Sequence, residues 1–246
     1  AMSIFKIPKK ICKGITDAIS RFWWGDDASH KRMHWFAWWK MCIPKSRGGM
    51  GFRDIHCFNL ALLAKQAWWL IDDPESLCAK ILKAKYYPND DLMNVGLRKK
   101  ASYTWQSIMA GVDTLKHGII WRVGDGQKIK IWEDCWIPQS PSKKVISPRG
   151  NHLLSRVSEL IDPASGEWDR QLVYQTFCHV DAQRILAIPL PIYEMSDFLA
   201  WSLTKTGGFS VRSAYHAVWE AQFGHHMQAG CSSSAPKPTW KSLWGL

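Results

Sequence analysis

Apolar residues near the N-terminus recur at helical spacing. Ile11, Ile15, Ile19 and Phe22 fall on one line and Lys9, Lys13 and Asp17 on another. This predicts an amphipathic helix opened by Pro8, with its isoleucines inward, and ended by Trp23-Trp24-Gly25. A polar loop covers 26–31, and an aromatic-rich stretch at 34–43 reads as strand or short helix. Pro44-Lys-Ser-Arg-Gly-Gly then makes a turn. The strongest periodicity runs over 56–72, where Leu60, Leu63, Ala64, Ala67 and Ile71 share a face that Phe58, Leu62 and Trp69 widen. So broad an apolar surface predicts a helix packed on two sides. Pro74 breaks it, and further helices are expected over 75–86 and 103–116, the latter with Trp105, Ile108, Met109, Val112 and Leu115 inward and Gly118 as its stop.

The period then changes to two. Ile119-Ile-Trp-Arg-Val123 and Lys128-Ile-Lys-Ile-Trp132 flank Gly124-Asp125-Gly126-Gln127, which predicts an antiparallel hairpin with Ile129 and Ile131 inward and Lys128 and Lys130 outward. Residues 137–152, rich in Pro, Ser and Lys, read as loop or linker, and short helices are expected over 157–161, 169–177 and 181–187. Residues 198–203, a Lys-Thr-Gly-Gly turn and Phe209 suggest a second hairpin. Ser210 can cap a helix carrying Val211, Ala214, Tyr215, Val218 and Trp219. Disorder is expected near 224–238, with a helical turn at 240–246. The elements together predict an α+β fold, mainly helical.

Composition adds an uneven charge. The 246 residues carry a net +11, and residues 1–100 hold 18 Lys and Arg against 9 Asp and Glu, whereas 101–246 hold 14 against 12. A basic field confined to the N-terminal part attracts polyanions, nucleic acid above all, although a solubilising surface would have the same composition. Three clusters are candidates for phosphate contact: Lys9, Lys10 and Lys13 on the first helix, Lys45, Arg47 and Arg53 around the Gly-Gly turn, and Lys80, Lys83 and Lys85 on the third. The Gly-Gly turn is a place where backbone could approach a phosphate closely. The seven cysteines, Cys12, Cys42, Cys57, Cys78, Cys135, Cys178 and Cys231, are widely spaced and form no C-x-x-C, which points to reduced thiols in a nuclear or cytoplasmic, reducing compartment. Most of the 16 tryptophans are expected in the core, with a few free to stack on bases.

Catalytic patterns are sparse. The carboxylate pairs Asp26-Asp27, Asp72-Asp73 and Asp90-Asp91 lack the strand setting of a two-metal site, and Ile-Asp-Asp-Pro at 71–74 reads as a solvated helix end. His30 with His34, and His225, His226 and Cys231, do not supply four ligands at zinc-finger spacing, so no metal is expected. Gly124-x-Gly126 lacks the rest of a dinucleotide fingerprint, and no cofactor is expected. No apolar run is long enough to span a membrane, and residues 1–10 lack the pattern of a signal peptide.

Several blocks in order carry a resemblance. They are Phe22-Trp-Trp-Gly25; His34-Trp35; Trp39-Lys-Met-Cys-Ile-Pro-Lys45; Gly48-Gly-Met-Gly-Phe-Arg-Asp54; Phe58-Asn-Leu-Ala-Leu-Leu-Ala-Lys-Gln66; Lys83-Ala-Lys-Tyr-Tyr-Pro88; Ser102-Tyr-Thr-Trp105; Trp121-Arg-Val-Gly-Asp-Gly126; Ile131-Trp-Glu-Asp-Cys-Trp136; Trp201; Gly208-Phe-Ser-Val-Arg212 with Ser213-Ala-Tyr215; and Trp240-Lys-Ser-Leu-Trp244. This series resembles the region after the palm in plant LINE-type, non-LTR retrotransposon reverse transcriptases. In that family the palm with its catalytic aspartates lies upstream of the first block, and a zinc-binding module begins near the last, in some members followed by ribonuclease H. The resemblance implies a thumb-like helical region over 1–117, with 1–70 corresponding to the thumb. A hairpin-containing connector would follow over 118–204, and 205–246 would be the truncated start of the zinc-binding-type region. It implies a non-catalytic fragment whose partner is RNA or RNA–DNA duplex, bound weakly and without sequence preference, with no membrane or small-molecule partner. Two alternatives stand beside it: a domesticated protein-interaction module using exposed tryptophans, and a remnant without function.

Overall fold

Helix ends in this chain are fixed by side chains placed one residue ahead of them. Asp54, Ser76, Ser102 and Asp169 each accept a hydrogen bond from a backbone N–H in the first turn of the helix they precede. The computed structural model describes residues 1–26, 30, 32–96, 101–193 and 195–228, with side chains described as far as 224. In chain order its elements are α1 (Lys9–Trp24), α2 (Trp38–Met41), α3 (Ile55–Asp72), α4 (Leu77–Tyr86), α5 (Tyr103–Leu115), β1 (Ile119–Arg122), α6 (Arg170–Thr176), α7 (His179–Leu186), β2 (Phe198–Trp201) and α8 (Val211–Gln228). Short 3-10 turns lie at Lys45–Arg47 and Val157–Leu160. The fold is α+β and mainly helical, with one small antiparallel sheet among the described residues. The chain forms two compact units, one from Ala1–His117 together with the segment from Ser210 onward, the other from Gly118–Phe209.

The first unit is built around α3, which packs against α1, α5 and α8. Its apolar residues run all the way round, and Ala61, Leu63, Ala64, Ala67 and Trp68 are all buried. The small side chains let neighbours come close. A Cβ on Gly111 of α5 would lie 2.3 Å from the Leu63 carbonyl oxygen, so α5 crosses α3 backbone against backbone there. Trp105, Ile108, Met109, Val112 and Leu115 point inward as the periodicity predicts. The Trp105 ring stacks on Tyr86, with centroids 4.3 Å apart. Residues before α1 are tied down by buried polar groups. Asn59 donates to the carbonyls of Met2 (2.6 Å) and Phe5 (2.9 Å) and accepts from the Ile7 N–H (2.8 Å). Ser107 accepts from the Lys6 N–H at 2.9 Å.

The second unit has its own core, which includes Ile129, Ile131, Trp136, Val157, Leu160, Val173 and Ile185. Asp181 is fully buried and closes the 137–152 segment onto α7. It accepts from the backbone N–H groups of Ile146 (2.8 Å) and Ser147 (2.7 Å) and from the Ser147 hydroxyl (2.7 Å). Burial acts to raise its carboxyl, but these donors outweigh that and hold it below the ordinary value.

Three expectations are corrected. First, residues 119–132 do not form a hairpin. β1 pairs with β2, Ile119 facing Trp201 and Arg122 facing Phe198. Residues 129–131 instead bond to 155–157, through Ile131 N–H to the Ser155 carbonyl (3.0 Å) and Val157 N–H to the Ile129 carbonyl (3.1 Å). Ile129 and Ile131 are buried and Lys128 and Lys130 exposed as expected, because alternation fixes faces and not partners. Likewise β2 takes β1 as its strand partner, not the segment at Phe209. Second, α1 is turned: Cys12 is its buried residue, while Ile11, Ile15 and Phe22 are exposed. Trp69, expected to widen the buried face of α3, is half exposed with the Lys65 ammonium 4.9 Å over its ring. Third, residues 224–228, expected at the start of a disordered stretch, continue α8. The rest of that stretch, the turn expected at 240–246, and Cys231 lie outside the described residues, as do the side chains of His225 and His226.

Candidate nucleic-acid interface

The N-terminus of α3 gathers groups from four stretches of chain. Asp54 caps the helix by accepting from the Cys57 N–H at 2.8 Å, and its own N–H donates to the Tyr215 hydroxyl of α8 at 3.0 Å. The Cys57 thiol donates to Gln222, also on α8, at 3.3 Å. Burial, reinforced by the Asp54 charge, pushes the Cys12, Cys42 and Cys57 thiols up, Cys42 to about 12. These thiols stay protonated at neutral pH and are poor nucleophiles.

Cations surround this cap. Burial lowers the His56 imidazole, Lys9 lowers it further, Asp54 opposes, and Lys6 lowers it again. Burial lowers His216, followed by Arg212 and Arg47, with Glu220 opposing. Burial is the larger cause at both imidazoles, and the neighbouring cations add to it. Arg53, next to Asp54, lays its guanidinium 4.8 Å over the Phe58 ring. The fold thus sets Lys9 and Lys6 near His56, Arg47 and Arg212 near His216, and Arg53 next to the Asp54 cap of α3. Sequence reasoning passed over Lys6, Arg212 and His216 because Lys6 precedes the first helix and the other two lie in the weakly charged C-terminal part.

The remaining predicted residues sit as follows. Lys10 and Lys13 are exposed on α1. Lys45 and Arg47 occupy the 3-10 turn, and Arg47 forms a half-exposed ion pair with Glu220 at 2.8 Å. The glycine at 49 serves this turn itself, since a Cβ there would fall 2.0 Å from the Ile43 carbonyl oxygen. It is buried, which leaves no room for a phosphate against its backbone. On α4, Lys80 pairs with Glu75 at 2.8 Å, Lys85 lies over the Tyr86 ring at 5.3 Å, and Lys83 is exposed. Among the described residues, no extensive helix contact joins α4 to α1 or α8.

The glycine-rich 124–126 stretch has an internal occupant. The N–H groups of Gly124 (2.7 Å), Gly126 (2.9 Å) and Lys128 (2.8 Å) all donate to the carboxylate of Asp197. Both glycines are needed there. A Cβ on Gly124 would lie 2.1 Å from the Met195 carbonyl oxygen, and one on Gly126 2.4 Å from the Ser158 nitrogen. This is a backbone anion nest filled by the chain's own carboxylate. Asp72, Asp73, Asp90 and Asp91 are exposed, and Asp27 lies outside the described residues. Among the described residues, no three or more His, Cys, Asp or Glu gather so as to hold a metal, and no helix is long and apolar enough to cross a membrane.

No family model and no solved structure matches the chain. It is 32% identical over 224 residues to an Arabidopsis thaliana protein named "Putative ribonuclease H protein At1g65750", a similarity that takes in 89% of this chain but only 36% of the relative. The "Uncharacterized mitochondrial protein AtMg00310" of the same plant is 40% identical over 138 residues, which is 56% of this chain and 90% of that protein, and the chain belongs to its family.

Proposed function

We propose that the chain is a non-catalytic part of a plant retrotransposon-derived reverse transcriptase, and that its first unit holds RNA or RNA–DNA duplex through phosphates, weakly and without sequence preference. The observation that carries this reading is the placing of Lys6 and Lys9 near His56 and of Arg47 and Arg212 near His216, with Arg53 beside the Asp54 cap of α3; all but Arg212 lie in the part of the chain that holds the excess charge. Positively charged side chains on a helical scaffold position a duplex by its backbone and carry little base information. The ion pairs Arg47–Glu220 and Lys80–Glu75 are half exposed or more, so they contribute little and a phosphate can displace the carboxylate. The ribonuclease H name of the longer Arabidopsis relative and the ordered blocks of the sequence support the retrotransposon origin. By the same reading the helices within residues 1–117 form a thumb-like region, and the protonated thiols suit a nuclear or cytoplasmic, reducing compartment. The test is fluorescence anisotropy with a labelled RNA–DNA duplex at low salt. Replacing Lys9, Lys10 and Lys13 together by Gln is expected to weaken binding on every sequence tried. Unchanged affinity would leave these lysines as a solvated helix face.

A second reading, a protein-interaction module, draws on the exposed Trp35 and on Trp69 beneath Lys65. A Trp-anchored protein interface need not weaken steeply with salt, whereas phosphate binding must.

A further inference from the structure

The chain buries its large rings thoroughly in most places. Trp105, Trp136, Trp201 and Trp219 are all under 2% exposed. One end of the first unit departs from this. Phe22 is 86% exposed, Trp35 72% and Trp23 45%, with Met33 beside them at 71%. These residues flank a built connection between the last turn of α1 and the returning segment 32–36. Gly25 ends α1 in the left-handed conformation (φ 71°), and the Asp26 N–H closes back on the Arg21 carbonyl at 2.9 Å. The Asp26 carboxylate then accepts the Arg32 N–H at 2.7 Å and bonds the His34 ring nitrogen Nε2 at 2.9 Å. The Trp24 ring stacks on His34 at 5.8 Å, inclined by 20°, and Trp23 meets Phe52 edge-on at 4.9 Å. Segment 32–36 is therefore fastened to the helix end, while Trp35 and Phe22 face solvent. The chemistry around it is cationic: Arg21 lies on the last turn of α1, and the Arg32 side chain lies over Gly25. The Asp26 carboxyl is held below the ordinary range, first by the Arg32 N–H and then by His34.

We propose that the end of α1 and segment 32–36 form a stacking platform for unpaired bases of single-stranded nucleic acid, with Trp35 and Phe22 as the rings and Arg21 and Arg32 as the phosphate contacts. The proposal rests on the nucleic-acid reading above and extends it. The lysines of α1 can meet a duplex backbone, but a duplex keeps its base faces covered, and only an unpaired strand can lay a base on Trp35. Charge complementarity selects the occupant: exposed aromatic rings beside arginines suit a polyanion whose every residue has a flat π-face. Rings held in advance by the Asp26 connection lose little freedom on binding.

The test uses the full chain, a labelled twelve-nucleotide oligouridylate, and a twelve-base-pair RNA–DNA duplex. Tryptophan fluorescence is expected to be quenched by the single strand. Trp35→Ala is expected to weaken single-strand binding roughly tenfold, with Phe22→Ala acting in the same direction. Duplex affinity and melting temperature should be unchanged, because both rings are exposed. Trp35→Phe should restore most of the loss. The triple Gln substitution of Lys9, Lys10 and Lys13 should weaken duplex binding, so failure of the platform and failure of the underlying reading are distinguishable. Single-strand affinity within twofold of the unaltered chain in both alanine variants would overturn the platform while leaving duplex binding intact. Absence of binding to both probes at low salt would overturn both. Quenching by anionic lipid vesicles without quenching by the oligonucleotide would also overturn the platform.

Discussion

At the scale of single residues, the chain uses buried carboxylates to order irregular backbone. Asp197 is the clearest case, because three N–H groups converge on it. Asp197→Ala would leave those donors without an acceptor and is expected to cost on the order of 3 kcal/mol or more, read as a fall in the denaturant midpoint. A shift within half a kilocalorie would mean the loop holds itself. Asp181 provides the pH dependence. Its folded value is lowered, so its contribution is fully present above about pH 4, the ordinary carboxyl range, and is lost as the pH falls through the lowered value. Chemical denaturation at pH 6 and pH 3 is expected to show the second unit weakening in acid, and Asp181→Asn should flatten that dependence. His56 reports on the interface. Its imidazole is held down by burial and then by Lys9, so a phosphate placed beside Lys9 must raise its midpoint. NMR titration with and without duplex measures this, and an unmoved His56 would place the phosphate elsewhere.

At the scale of elements, helices were legible because 3.6-residue periodicity is local. Asp54, Ser76, Ser102 and Asp169 each stand at the observed start of a helix. Partners were not legible. The alternation at 119–132 correctly buried Ile129 and Ile131, but Gly124 and Gly126 looked like turn residues when their task is close approach to 195 and 158. That requirement comes from residues far away in sequence, as does the role of Asp197. The turned face of α1 has the same origin: a stripe of isoleucines shows that a helix is amphipathic, while the fit of Cys12 against its neighbours decides which side is covered. Of the candidate site, Lys9, Arg47 and Arg53 were legible as charge clusters, whereas Lys6, Arg212, His56 and His216 join them only through folding. The α3–α5 crossing gives a direct test. Gly111→Ala puts a methyl 2.3 Å from the Leu63 carbonyl oxygen, so the helices must separate, at a cost of about 1–3 kcal/mol in thermal or denaturant unfolding. A neutral result would mean the crossing is looser than the structure has it.

At the scale of the whole molecule, the charge is unevenly spread along the chain. The first 100 residues hold 18 Lys and Arg against 9 Asp and Glu, and the rest of the chain is close to balanced. The chain spans 36% of the longer Arabidopsis relative and 90% of the shorter one. Its contribution, on this account, is a cationic surface that follows a nucleic-acid backbone. The measurement that tests this most directly is the affinity for an RNA–DNA duplex from 50 to 200 mM salt. Log affinity is expected to fall linearly with log salt, each phosphate neutralised adding roughly 0.7–0.9 to the slope, and the Gln substitution of Lys9, Lys10 and Lys13 should flatten it. A slope near zero, or one identical in the triple variant, would contradict the account.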